Sequence, residues 1–224
     1  MIAAPEAVPA PRVGYVLRRA ARDFYEESWR LVALNTALSA YVLAVLAVAS
    51  FAPLALVLLV GAGPLAAALV AAAVIVVESG SLTFVETADT VRRCWRRGLV
   101  LAGTLALGIL ATVVAVRFYA ASGTPTWPLA VLVLYLGAIF FLYQLVLWPL
   151  AVRDSERPLL DVAAEAAAVL VRRPGAVVAL GLALLLVNAL GVVAAVLPFL
   201  TVTIAYSALA AARLTIASRP PEDV

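Results

Sequence analysis

The chain has 224 residues, 66% of them hydrophobic and 13% charged, with sixteen arginines, no lysine, thirteen acids and no histidine. Its mean hydropathy of +1.10 excludes a soluble globular protein. Although the pI is near 9.3, a nucleic-acid partner is not expected, because the cations sit where membrane proteins place them.

Four charge-free stretches, 31–77, 98–116, 118–152 and 174–212, are 47, 19, 35 and 39 residues long. A helix needs about 20 residues to cross a bilayer. Residues 1–11, with Pro5, Pro9 and Pro11 among alanines, read as a disordered cytosolic tail. In 12–30 apolar residues recur at helical spacing beside the i,i+4 pairs Arg19–Asp23, Arg22–Glu26 and Glu26–Arg30, which predicts an amphipathic helix. The first apolar stretch begins only at Leu31, too far along for a cleaved signal peptide, so it is retained. At about 70 Å it must fold back, and Ser50 to Pro53 offers the turn between spans of about 31–50 and 54–77. Gly61, Gly63 and Pro64 predict a kink in the second span.

Thr83 and Glu86 form a capping-box pattern at the head of a second amphipathic helix, 83–97, which carries Arg92, Arg93, Arg96 and Arg97. A third span, 98–118, leads to an external loop containing Ser122, Gly123, Pro125 and Pro128. A fourth span covers about 129–151 and includes Pro149. A third amphipathic helix, 158–173, ends at Arg172 and Arg173. The stretch 174–212 then needs two short passes, with a turn between Gly191 and Pro198. The predicted fold is all-α. It comprises six transmembrane helices in three hairpins, each preceded by a cytosolic amphipathic helix, in a single domain over 12–216 with a cytosolic tail at 217–224. Fifteen arginines fall on one side of these spans against Arg117 alone on the other, which places both termini in the cytoplasm.

The junctions Ser28-Trp29-Arg30-Leu31, Trp95-Arg96-Arg97-Gly98 and Val171-Arg172-Arg173-Pro174 align, and each hairpin has a proline in its second span: Pro64, Pro149 and Pro198. This reads as three copies of one unit, 12–77, 83–151 and 158–214, although any multispan chain with positive loops shows some repetition.

Trp29 and Asn35, Gly63-Pro64-Leu65-Ala66-Ala67-Ala68-Leu69, the aromatic and basic pattern from Phe84 to Gly98, Tyr143 with Trp148-Pro149-Leu150-Ala151-Val152-Arg153, and Arg173-Pro174 carry a resemblance. In their order and spacing the chain resembles the YesL family of bacterial multispan membrane proteins, over most of 24–206. It departs from that family in being richer in alanine and arginine and in lacking lysine. The resemblance implies an inner-membrane protein encoded beside carbohydrate uptake components, a non-enzymatic accessory or regulatory partner of their subunits. It implies no catalytic residue.

The residues themselves are consistent with a non-enzymatic reading. A chain without histidine and with Cys94 alone offers no imidazole base, no disulfide framework and no cysteine-rich metal site. No catalytic residue, cofactor or metal is therefore expected. Asp154, Glu156 and Asp161 read as ion-pair partners of Arg153 and Arg157 rather than as a magnesium site. Glu78 and Arg117 lie at span edges and no charge falls deeper within a predicted span, which disfavours ion-coupled transport. Asn35 and Gln144 lie in the cytosolic half, placed to meet across the bundle. With Tyr143, Asn188 and Tyr206 they either glue helices together, at about 0.6–2 kcal/mol each, or line a pocket of a carrier for an uncharged small solute. Gly61, Gly63, Pro64, Pro149 and Pro198 are assigned to packing and kinks. Arg92, Arg93, Arg96, Arg97, Arg172 and Arg173 are assigned to anionic lipid head groups or to an acidic partner surface.

Overall fold

A computed structural model describes residues 13–194 and 202–217. Among these the fold is all-α, with no strand. Helix α1 spans Val13–Ala49. The chain turns at Ser50 and Phe51, winds as a 3₁₀ segment over Pro53–Ala62, and continues as α2, Gly63–Ser79. Helix α3 is Phe84–Ala121 and α4 is Trp127–Arg153, joined through a short 3₁₀ turn, Thr124–Thr126. Then follow α5, Leu159–Arg172, α6, Pro174–Ala194, and α7, Ile204–Ile216.

Among the described residues, five stretches are long and apolar enough to cross a bilayer: Trp29–Ala49, Pro53–Ser79, Val85–Ala121, Trp127–Arg153 and Pro174–Val193. The protein is a membrane protein with five such helices among these residues. The expected sixth span is represented among the described residues by α7, only 13 residues long. The turn was expected between Gly191 and Pro198; Gly191 to Ala194 are still helical in α6, and the rest of that interval lies outside the described residues. Pro198 lies outside the described residues, as do the tails 1–11 and 218–224.

A cytosolic amphipathic helix was expected directly before each hairpin, and the first two run into their spans as one continuous helix. Helix α1 is 37 residues and α3 is 38, about 55 Å each, roughly 25 Å more than the hydrocarbon core. A change from a charged to an apolar surface does not interrupt the i→i+4 ladder, so neither helix breaks at Arg30 or Arg97. The third junction does break, because Pro174 follows Arg173. Proline excludes its predecessor from the helical region, and Arg173 sits at φ −134°, ψ 50°.

Local signals explain the other ends. The Thr83 hydroxyl accepts from the Glu86 amide while the Glu86 carboxylate accepts from the Thr83 amide at 2.7 Å, a closed capping box. Gly80, at φ +79°, ends α2 in the left-handed conformation.

Helix α2 is the hub, touching α1, α3, α4 and α7. Its run Ala67, Ala68, Ala71, Ala72 and Ala73 is buried, since small side chains let several backbones approach one helix. The halves of α3 and α4 next to the 122–126 connection expose Leu107, Leu110, Val114, Leu132 and Leu136, an apolar surface suited to lipid tails.

Candidate functional site

The five polar residues singled out from the sequence are not brought together into one pocket. Tyr143 donates its hydroxyl to the Ala163 carbonyl at 3.2 Å, joining α4 to α5. Gln144 is buried and accepts from the Trp148 indole N–H at 3.1 Å, one turn along its own helix. Asn188 donates to the Leu184 carbonyl at 2.7 Å and to Ser207 Oγ at 2.9 Å, joining α6 to α7. Tyr206 donates to the Leu17 carbonyl at 3.0 Å, joining α7 to α1 across 189 positions of sequence. The expected meeting of Asn35 and Gln144 gives way to this local pairing of Gln144.

Asn35 differs from the other four. It is fully buried on the inner face of α1, beside Leu31, Leu34 and Leu38, and neither atom of its amide has a partner in the structure. An amide in such surroundings costs free energy unless something satisfies it. A cleft of about 200 Å³ opens elsewhere among α1, α2, α3, α4 and α7, between Leu38, Val70, Phe141, Gln144 and Ser207. Its surface is almost wholly apolar.

The glycines and prolines have assignable positions. Gly61 lies under the ring of Tyr41, whose hydroxyl donates to the Leu58 carbonyl at 2.9 Å. Gly63 meets Gly98 where α2 crosses α3, backbone against backbone. Pro64 stands in the first turn of α2, where the chain changes from 3₁₀ to α winding, and Pro149 is buried inside α4.

The arginine-rich end of the bundle is held by clamps. Arg97 points inward, and its guanidinium donates to the carbonyls of Ala151 at 2.7 Å, Asp154 at 2.9 Å and Arg157. It thereby caps the C-terminal end of α4, where carbonyls lack helical partners and a cation complements the dipole. Arg153 pairs with Glu78 at 2.6 Å, tying α4 to the end of α2. Arg157 bridges Asp154 at 3.3 Å and Glu165 at 2.8 Å. Arg213 on α7 pairs with Asp23 on α1, both largely buried.

Of the remaining arginines of the cluster, Arg92, Arg93, Arg96 and Arg172 are exposed. Arg92 and Arg93, with Glu86, Asp89 and Ile75, line an open depression of about 630 Å³. Arg96 stacks over the Trp95 ring at 5.5 Å, and Arg172 is exposed while Arg173 is half-buried. The Glu86 carboxyl is held below its ordinary value by the hydroxyl and backbone N–H of Thr83. No group of three or more acidic, cysteine or histidine side chains suited to a metal occurs among the described residues.

Sequence reasoning did not find the inward turn of Arg97 or the Asp23–Arg213 pair. Nothing local distinguishes Arg97 from Arg96, and the partners of the pair lie 190 positions apart. No protein-family model, curated protein or solved structure matches the chain.

Proposed function

We propose that this chain is a bacterial inner-membrane protein of the YesL-like type that acts by interaction, as an accessory or regulatory partner of a carbohydrate uptake system. In this reading six spans cross the membrane, both termini are cytoplasmic, and the cytosolic extensions of α1 and α3, together with α5, form the contact surface. The protein performs no chemistry of its own. The observation that carries the reading is the continuity of α1 and α3. Each rigid helix reaches about 25 Å beyond a hydrocarbon core and holds Tyr15, Tyr25, Val85 and Trp95 exposed. Large exposed aromatics on rigid elements are the usual anchors of protein interfaces. The pairing of Tyr143, Gln144, Asn188 and Tyr206 within and between helices also favours a bundle built to hold its shape.

A photo-crosslinker placed at Tyr25 in the full chain, in cells expressing the uptake system, should yield adducts with its subunits, and one placed at lipid-facing Leu107 should not. Absence of adducts at Tyr25, with the protein monodisperse and alone in mild detergent, would overturn the reading. Orientation is tested separately in a Cys94→Ser background, where Arg93→Cys and Arg173→Cys should both label from the cytoplasmic side.

A second reading, a carrier or facilitator for an uncharged solute, has Asn35 in its favour, a buried amide with no partner. It requires solute uptake into liposomes that is lost in Asn35→Leu.

A further inference from the structure

Four helices agree on the depth of the cleft that opens beside Gln144. Leu38, Val70, Leu105 and Gln144 line it from α1, α2, α3 and α4. They stand eight or nine positions from Arg30, Glu78, Arg97 and Arg153, the nearest charges along those helices. At 1.5 Å per residue that is about 12–13 Å inside the polar boundary, close to the middle of a hydrocarbon core about 30 Å thick. None of the described residues that line the cleft is charged.

One polar group is left over at this depth. Gln144 is 4% exposed, and its amide oxygen accepts from the Trp148 indole N–H at 3.1 Å. An indole nitrogen only donates, so this contact fixes which end of the amide is oxygen and leaves the NH₂ group on the other side. That NH₂ group has no partner among the described residues and, unlike the amide of Asn35, it is not sealed off. The hydroxyl in the cleft is already engaged, since Ser207 donates to the Thr203 carbonyl at 2.7 Å and accepts from Asn188 at 2.9 Å. A donor without an acceptor is costly in hydrocarbon, so the cleft complements a molecule that brings an acceptor.

The occupant must be uncharged and soluble in hydrocarbon. Phospholipid ester carbonyls stay near the head groups, which excludes them at this depth. A six-membered ring matches the space, since a cavity of about 150 Å³ holds benzene and this cleft has about 200 Å³. Phe141 and Trp148 give its walls aromatic surface against which a ring packs. Phe141 is also exposed, so the cleft opens towards lipid and leaves a tail a way out.

We infer that this cleft binds the ring of a prenylquinone, with a carbonyl oxygen accepting from Gln144 Nε2 and the isoprenoid tail leaving past Phe141 into the bilayer. The site rests on neither reading of function above.

The probe is decylubiquinone, whose ring quenches indole emission. The full-length chain with Trp29→Phe, Trp95→Phe and Trp127→Phe keeps Trp148 as its one indole and is reconstituted into phosphatidylcholine vesicles. Quenching should saturate as quinone is added. Decylbenzene, which has a ring and tail but no carbonyl, should compete about fivefold more weakly than the quinone binds, the worth of one hydrogen bond. Gln144→Leu should weaken quinone binding by a similar factor. Ala66→Leu, which fills the cleft from α2 and leaves the amide in place, should abolish saturation, and Leu107→Ala on the lipid-facing surface should change nothing. Quenching that rises linearly with quinone is simple partition and overturns the site. Equal competition by decylbenzene overturns it too, as does a Gln144→Leu variant that binds like its parent. So does an absence of quenching, the result expected if a second copy of the chain covers the cleft. If the triple variant does not fold, an azidoquinone photolabel on the wild-type chain decides. Label within 141–149 that excess decylubiquinone displaces supports the site, and label that is absent or not displaced overturns it.

Discussion

The crossing of α2 over α3 makes the sharpest test of the packing, through Gly98→Ala. These helices share an extensive interface, and at its closest point no side chain separates them. A methyl group on Gly98 would lie 2.5 Å from the Gly63 carbonyl oxygen, 2.7 Å from the Gly63 carbonyl carbon and 2.8 Å from the Pro64 nitrogen. All three are backbone atoms and no rotamer change relieves the clash, so the helices must part by about 1 Å to restore ordinary contact at about 3.5 Å. A gap of that size forfeits about a quarter to a half of the dispersion attraction along the interface. Overpacking of this kind costs about 1–3 kcal/mol, and rigid neighbours place Gly98→Ala near about 2–3 kcal/mol. Gly103 on the same helix is the control, since a methyl there meets nothing within 4 Å and alanine is the better helix former by about 1 kcal/mol. Unfolding of both variants by titration from mild detergent into sodium dodecyl sulfate, followed by circular dichroism, reads the difference. Equal stability of Gly98→Ala and Gly103→Ala would refute the backbone crossing.

Removing one partner of the largely buried Asp23–Arg213 pair, as in Asp23→Asn or Arg213→Met, should cost about 3–5 kcal/mol by the same titration. The double variant Asp23→Leu/Arg213→Met should recover most of it, and strictly additive losses would argue against direct pairing. Arg97→Gln should lower stability by about 1.5–3 kcal/mol through loss of its charged hydrogen bonds to the end of α4, whereas Arg96→Gln should change it little. Hydrogen exchange at the amides of 151–157 would localise that effect. Glu86 gives a pH prediction: its folded value is depressed, so the cap stabilises α3 fully above the unfolded carboxyl value of about 4.3 and loses that contribution as pH falls through the folded value. Helical signal should fall with acid in the wild-type protein, and a Glu86→Gln variant with the same acid profile would contradict the assignment.

How much of this was legible depends on how far each cause reaches along the chain. Apolar blocks, the turn at Ser50 to Pro53, the loop near Gly123 and the capping box at Thr83 are set by neighbouring residues, and the structure has each of them in place. Equally local is the break before Pro174, although its contrast with the unbroken α1 and α3 was not foreseen. Charge periodicity shows which surface of a helix faces water. It carries no information on whether the backbone continues, so the unbroken passage of two amphipathic helices into their spans could not be read from it. The candidate site was legible as a set of residues but not as an arrangement. Five polar side chains were visible in composition, and the structure divides them among separate helix contacts while leaving Asn35 alone.

The sequence by itself thus determined that this protein is helical, apolar enough for a membrane, and bounded by arginines at particular points, since hydropathy and hydrogen-bond satisfaction in lipid act residue by residue. Only the tertiary structure decided that Gly98 meets Gly63, that Arg97 turns inward while Arg96 stays out, and that Asp23 finds Arg213. Those outcomes depend on which helices become neighbours, a choice made by packing between surfaces distant in sequence and nearly alike in composition.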